Sequence, residues 1–185
     1  MKKLLYIFGI IIVIAGIFAV SRIHANNSHD TLVAYFSATG NTKSVAEKLA
    51  SSINADLFEI IPEQIYTTED LNWRNDASRS SVEMKDKNSR PMIASKIENI
   101  EQYKFVFVGF PIWWGREPSI IDTFMESYDF AGKTIIPFAT SGSSDIGNTY
   151  ENLQSLAPNA KVLNGKRFPV DVSTDELRTW ANEQM

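Results

Sequence analysis

The sequence predicts an α/β fold, a three-layer, doubly wound sheet of five parallel strands in the order 2-1-3-4-5. Two observations carry this reading. From residue 31 onward, short apolar runs alternate with stretches of helical periodicity, and that alternation builds a parallel sheet with helices on both faces. The apolar runs are also continuous, as in strands covered on both sides, where a half-exposed strand would alternate with polar residues. Five such strands suit the 2-1-3-4-5 order, in which ligands bind at the carboxyl ends of the strands where the winding reverses.

Each element has its own justification. "TLVAYF" (31–36) is the first strand. In 41–53, Val45, Ala46, Leu49, Ala50 and Ile53 share one face of a helix. "ADLFEII" (55–61) is the second strand, stopped by Pro62. Residues 62–92 are polar and poorly periodic, and read as a long loop with one helical turn around Glu69 to Trp73. Loops of that length in a compact domain are usually functional or mobile. "IASKIENIEQY" (93–103) reads as a helix and "KFVFVGF" (104–110) as the third strand. "PIWWGREP" (111–118) is a turn-rich loop, and Pro118 opens a helix over 119–128. "KTIIPFAT" (133–140) is the fourth strand. After the loop 141–149, a helix that starts near Asp145 continues through 150–157, and 160–168 holds the fifth strand. The last helix, 173–184, has Ser173 as N-cap with Glu176 three residues on, a capping box.

Ahead of this domain (31–185), Lys2 and Lys3 precede residues 4–20, which carry no charge. Residues 1–25 therefore read as a signal peptide, with small residues at Ala19-Val20-Ser21 for cleavage, or as an uncleaved anchor. Residues 26–30 form a short polar linker. Either alternative places the domain outside the cytoplasmic membrane, as a cell-membrane protein with an extracellular domain or as a secreted protein. The membrane is then a partner through this segment.

Composition narrows the chemistry. Net charge is −4 with no basic block, which disfavours a nucleic-acid partner. There is no cysteine, and both histidines, His24 and His29, precede the first strand. Thiol nucleophiles, cysteine-ligated metals and a Ser-His-Asp triad inside the domain are excluded. No catalytic side chain and no metal site is assigned, and a bound cofactor would have to carry any demanding chemistry.

Three compositionally unusual loops follow strands 1, 3 and 4, the strands that flank the switch point. "SATGNT" (37–42) opens a helix with free backbone N–H groups and a favourable dipole. Ser37, Thr39 and Thr42 add hydroxyls, Asn41 an amide, and Gly40 access to unusual φ. Such a nest suits a phosphate without Lys or Arg. It has neither the Walker nor the G-x-G-x-x-G spacing. "PIWWG" (111–115) supplies two indoles that either cap the core or stack on a flat ligand. "TSGSSD" (140–145) supplies small side chains and backbone donors.

With these motifs the chain resembles the flavodoxin family over roughly residues 31–184. "SATGNT" is similar to the family's [ST]-x-[ST]-G-x-T phosphate loop, "GFPIWWG" to its second loop and, more weakly, "TSGSSDIG" to its third. The resemblance implies an FMN cofactor. Its phosphate is held by Ser37, Thr39, Gly40, Asn41 and Thr42. Its ring stacks on Trp114, with Trp113 second, beside the backbone of Pro111, Ile112 and Gly115. Thr140, Ser141, Gly142, Ser143 and Ser144 line the pyrimidine side, and Asp145 sits near the rim. The third loop lacks the tyrosine that many electron-carrier flavodoxins place there, which leaves one ring face open or covered from 62–92 by Tyr66, Trp73 or Arg90. The implied function is extracytoplasmic electron transfer to a redox partner protein or small-molecule acceptor. The alternatives are an NAD(P)H-dependent FMN quinone reductase and a non-redox module binding another phosphorylated ligand.

Overall fold

The computed structural model describes residues 30–185. The predicted signal or anchor (1–25), and the linker apart from Asp30, lie outside the described residues.

The described residues form six strands and five α-helices, alternating up to β5: β1 (Thr31–Tyr35), α1 (Asn41–Ile53), β2 (Asp56–Glu59), α2 (Arg79–Lys85), β3 (Phe105–Pro111), α3 (Ser119–Ser127), β4 (Thr134–Thr140), α4 (Thr149–Leu156), β5 (Lys161–Val162), β6 (Lys166–Phe168) and α5 (Thr174–Gln184). The sheet order is β2-β1-β3-β4-β5, all parallel, with β6 also paired to β4. This is the predicted doubly wound topology.

The continuous apolar strands are buried on both faces. Leu32, Ala34 and Phe36 join Val106, Val108 and Phe110 under Ile120, Ile121 and Phe124 of α3. Val33 and Tyr35 join Phe107, Ile136 and Phe138 under α1 and α5, against Val45, Leu49, Leu177 and Trp180. Period-two alternation along each strand therefore feeds two cores, each large side chain contributing about 1.5–3 kcal/mol on full burial. At the last helix, Ser173 Oγ accepts from Glu176 N–H at 3.1 Å, while the Glu176 carboxylate turns to Lys166 at 3.2 Å. Half of the predicted capping box thus forms. Ser173→Ala is expected to lower stability by about 1 kcal/mol in urea melts, and an unchanged midpoint would contradict the cap.

The structure corrects the sequence reading in four places. Residues 93–103 are not a helix. Ile93 bridges Pro62, Ala94 N–H donates to Ile61 O, Ile97 N–H donates to Tyr128 Oη, and only Ile100–Gln102 turn as a short 3₁₀ helix. The helical spacing of Ile93, Ile97 and Ile100 is met instead by a segment laid along the end of β2, a tertiary override of local pattern. Within 62–92, the turn expected around Glu69 to Trp73 forms, with Leu71 N–H donating to Thr67 O, but a regular helix that the sequence reading lacks, α2, follows it, started by Ser78 accepting from Ser81 N–H. The fourth helix begins at Thr149, not near Asp145.

The fifth strand is broken into β5 and β6. Leu163 N–H donates to Ile135 O at 2.9 Å. In a parallel ladder the next bond comes back from residue 137, and Pro137 has no N–H. The chain leaves the sheet there and returns at Lys166, opposite Phe138. Gly165 makes the close passage possible, since a Cβ at this position would lie 2.7 Å from Pro137 O.

Candidate functional site

The first predicted loop turns sharply into α1 and leaves backbone N–H groups and hydroxyls at the helix start. Gly40 adopts φ +87°, which directs the chain from β1 into α1 at its N-cap position. The Ser37 hydroxyl accepts from Gly40 N–H at 3.1 Å, leaving its own proton free to donate outward. Thr39, Gly40 and Asn41 are exposed. Thr42 is buried and its hydroxyl meets that of Thr140 at 2.8 Å, tying the start of α1 to the end of β4. The nearby cation, Lys43, pairs with Glu59 at 3.3 Å, so the nest offers hydroxyls, amides and the helix dipole.

The second loop folds into a tight hairpin. Trp113 N–H donates to Arg116 O at 2.9 Å, and Arg116 N–H returns to Trp113 O at 3.1 Å. The two central residues, Trp114 and Gly115, have φ of +48° and +81°. Positive φ at both central positions is the signature of a type I′ turn. Glycine takes it freely, whereas a bulky side chain there is strained. Trp114 sits at the tip, 49% exposed, so a costly backbone state holds an indole out of the core. Trp113 goes the other way. It packs edge-on against Phe36 and Tyr66, with ring centroids 5.7 and 5.3 Å away.

A buried polar cluster holds the base of this hairpin. Arg116 reaches Asp122 of α3 at 2.6 Å, and Arg90 stands 3.8 Å from the same carboxylate. The Asn152 amide of α4 donates to both Glu117 Oε1 and Asp122 Oδ1. Glu117 is fully buried, and its Oε2 has no hydrogen-bond partner among the described residues. Burial pushes its carboxyl above the ordinary range and the Asp122 charge adds to this, while Arg116 offsets part. A raised carboxyl in the folded state stabilises the fold most below the unfolded value near 4.5, and that contribution is lost as pH rises through the folded value. Glu117→Gln is therefore expected to gain stability relative to the parent as pH rises above about 4.5. Parallel pH–stability curves for the two proteins would refute this.

The third loop is placed differently from expectation. Thr140 is buried, and its carbonyl accepts from Ile112 N–H at 3.0 Å. Ser141 Oγ donates to Ser144 O, Asp145 Oδ1 accepts from Ile146 N–H at 2.8 Å, and Arg167 donates to Ser141 O at 3.3 Å. Gly142, Ser143, Ser144 and Asp145 are exposed. Gly147, at φ +65°, lies so close to the hairpin that a Cβ would overlap Gly115 O. Loop 3 thus braces the back of loop 2.

A cavity of about 380 Å³ opens beside the nest, within the range for small-molecule sites. Its lining combines Ala38 and Thr39 of the first loop, Pro111 to Trp114 of the second, and Leu71, Trp73 and Ser80 of the segment between β2 and β3. The structure therefore brings the first two predicted loops together and does not bring Thr140 to Asp145 into the cavity lining. The segment 62–92 supplies that side. Of the three residues expected from it, Trp73 is the one in the wall. Tyr66 is buried behind Trp113 and bonded to Glu83, and Arg90 is committed to Glu126 and Asp122. Leu71 and Ser80 were missed, because nothing in their local sequence marks them. They face the cavity only because the chain between β2 and β3 folds back over it.

A family profile described as flavodoxin matches residues 30–184. The chain is 47% identical to a candidate flavoprotein from Bacteroides eggerthii DSM 20697, covering 83% of this chain and 96% of that one, with a TM-score of 0.79. It is also 47% identical to a second from Bacteroides uniformis ATCC 8492, covering 82% and 97%, with a TM-score of 0.78. A flavoprotein from Lactobacillus acidophilus NCFM, solved in complex with FMN, shares the fold at 21% identity and a TM-score of 0.62, covering 82% and 97%. No curated protein matches the chain. A hydroxyl-rich glycine loop and two indoles at the carboxyl ends of β1 and β3, and a profile match across the domain, lead to one conclusion: the chain belongs to the flavodoxin family.

Proposed function

We propose that the protein binds FMN and transfers electrons outside the cytoplasm, tethered or released by its N-terminal segment. One observation carries the cofactor reading. Thr39 belongs both to the nest that suits a phosphate and to the lining of the indole-walled cavity, as a ligand with a phosphate at one end and a flat ring at the other requires. The residues fit the group. Ser37, Thr39, Asn41, Thr42 and the first N–H groups of α1 would hold the phosphate, and Trp114 with the backbone of 111–115 would hold the ring. When bound, FMN supplies one- and two-electron chemistry, and the protein's part is to bind, orient and shield it. The apolar walls exclude water and disfavour extra negative charge in the site. The apolar, cationic-start segment at 1–25 supports the extracytoplasmic location.

The test is the visible spectrum of residues 26–185 with and without FMN, followed by redox titration. Flavin bands with quenched tryptophan emission are expected. A colourless protein that takes up no FMN would favour the non-redox phosphate-ligand reading, and steady-state NAD(P)H oxidation would favour the reductase.

A further inference from the structure

The hairpin that presents Trp114 rests on a group the proposed function does not use. Glu117 follows the turn directly, is fully buried, and leaves Oε2 without a hydrogen-bond partner among the described residues. The charges around it come from three elements. The hairpin brings Arg116, α3 brings Asp122 and Glu126, and the segment between β2 and β3 brings Arg90. Helix α4 faces Glu117 with the neutral Asn152 amide and Thr149 hydroxyl. Two guanidiniums thus meet three carboxyls, and the cluster is neutral when one carboxyl keeps its proton. Distances show which one. Arg116 lies 2.6 Å from Asp122 and Arg90 lies 2.7 Å from Glu126, both within hydrogen-bond reach. Arg116 Nε stands 3.7 Å from Glu117 Oε1, beyond that reach. An ionised Glu117 would be a buried charge with one neutral donor, which is costly, whereas a protonated one completes the balance.

The same arrangement ties that proton to Trp114. Arg116 is the cation beside Glu117, and its backbone N–H and C=O close the turn by pairing with Trp113. An ionised Glu117 competes with Asp122 for the Arg116 guanidinium, and a shift of Arg116 shifts the turn. Trp114, at φ +48°, is in a strained backbone state that persists only while its surroundings enforce it. We infer that Glu117 is a proton-linked positioning residue for Trp114: with its proton it keeps the hairpin in place, and without it the hairpin loosens, so that FMN is held more weakly as the medium turns alkaline. This rests on the FMN reading for the ligand. The sign follows from burial, which raises the Glu117 carboxyl above its ordinary value, so affinity is full below the raised value and falls as pH rises through it.

The experiment is FMN titration of the purified full-length protein from about pH 5 to about pH 9, read by quenching of tryptophan emission. The parent, Glu117→Gln and Glu183→Gln are compared. Glutamine keeps the shape of a neutral Glu117, and Glu183 is an exposed carboxyl of α5 that serves as control. The phosphate of FMN also titrates in this range, but equally for all three proteins, so ratios between them are the readout. The parent-to-Glu117→Gln ratio of dissociation constants is expected to be near unity at the acid end. It should rise roughly fivefold or more at the alkaline end, the low end of usual coupling between sites. Glu183→Gln should track the parent. Fluorotryptophan NMR of the FMN-free protein gives a second readout. The Trp114 signal, assigned by its absence in Trp114→Phe, should move with pH in the parent and stay fixed in Glu117→Gln. Parallel affinity profiles, a Trp114 signal that responds to pH alike in both proteins or in neither, or loss of FMN that coincides with thermal unfolding at the same pH would each overturn the inference. If FMN binds at no pH, the function proposed above falls, and the Trp114 signal alone still decides whether Glu117 sets the hairpin.

Discussion

Replacing Gly147 with alanine is expected to cost about 2–5 kcal/mol of stability and to weaken FMN binding as well. Two costs combine. At φ +65° an L side chain is strained by about 1–2 kcal/mol. The added methyl group would also overlap the carbonyl oxygen of Gly115, and forced overpacking costs about 1–3 kcal/mol. The neighbour is backbone, so relief has to come from moving loop 3 or the hairpin. The hairpin carries Trp114, and its base is pinned by Arg116 to Asp122. A shift there reaches the cavity wall. Gly142→Ala is the matched control in the same loop, since it meets nothing within 4 Å and has no positive φ. It should change stability by less than about 0.5 kcal/mol. Urea melts and FMN titrations of the two variants test the argument. Equal behaviour of the pair would show that loop 3 does not brace the hairpin.

Trp114→Ala should lower FMN affinity by roughly tenfold to a hundredfold, the range that stacking of a base on an aromatic side chain contributes. Stability should move little or in the opposite sense. Trp114 is half exposed and holds φ +48°, so its side chain contributes little to the core and its backbone is strained. Trp114→Gly sharpens the test. Glycine relieves the strain and should raise stability by up to about 1 kcal/mol while losing the same binding. An unchanged FMN dissociation constant in both variants would show that the indole is not the stacking face. Trp113 should behave in the reverse manner, because its contacts with Phe36 and Tyr66 make it a packing residue, and Trp113→Ala should lose stability first.

These expectations separate two tryptophans that the sequence presents as a pair. Adjacent indoles before a glycine identify the loop but not which ring turns inward. That is decided by the I′ turn, whose geometry sends successive side chains to different sides of the hairpin. The backbone form of the first loop was legible residue by residue, because such a turn is local. A glycine at the N-cap and hydroxyls within one turn of it need only short-range backbone geometry. The third loop was legible in position but not in role. Its carboxyl-end location follows from topology, yet the contacts of Gly147 with Gly115 and of Thr140 with Thr42 are long-range and leave no local trace. The same limit explains 93–103, where the isoleucine spacing fits a helix and burial is achieved by laying the segment against β2 and Tyr128.

The sequence by itself determined the layer architecture, the strand order and the glycine turn that opens α1, because burial on both faces imposes continuous apolar runs and a helix start imposes its own capping chemistry. Only the tertiary structure decided which elements face the cavity. Pro137 breaks the fifth strand through a ladder bond that exists only when β4 and β5 are side by side. The polar segment 62–92 becomes a wall only when its chain is folded back over β1 and β3. Local patterns report the free energy of short-range order, whereas a site assembled from segments thirty positions and more apart depends on which surfaces meet.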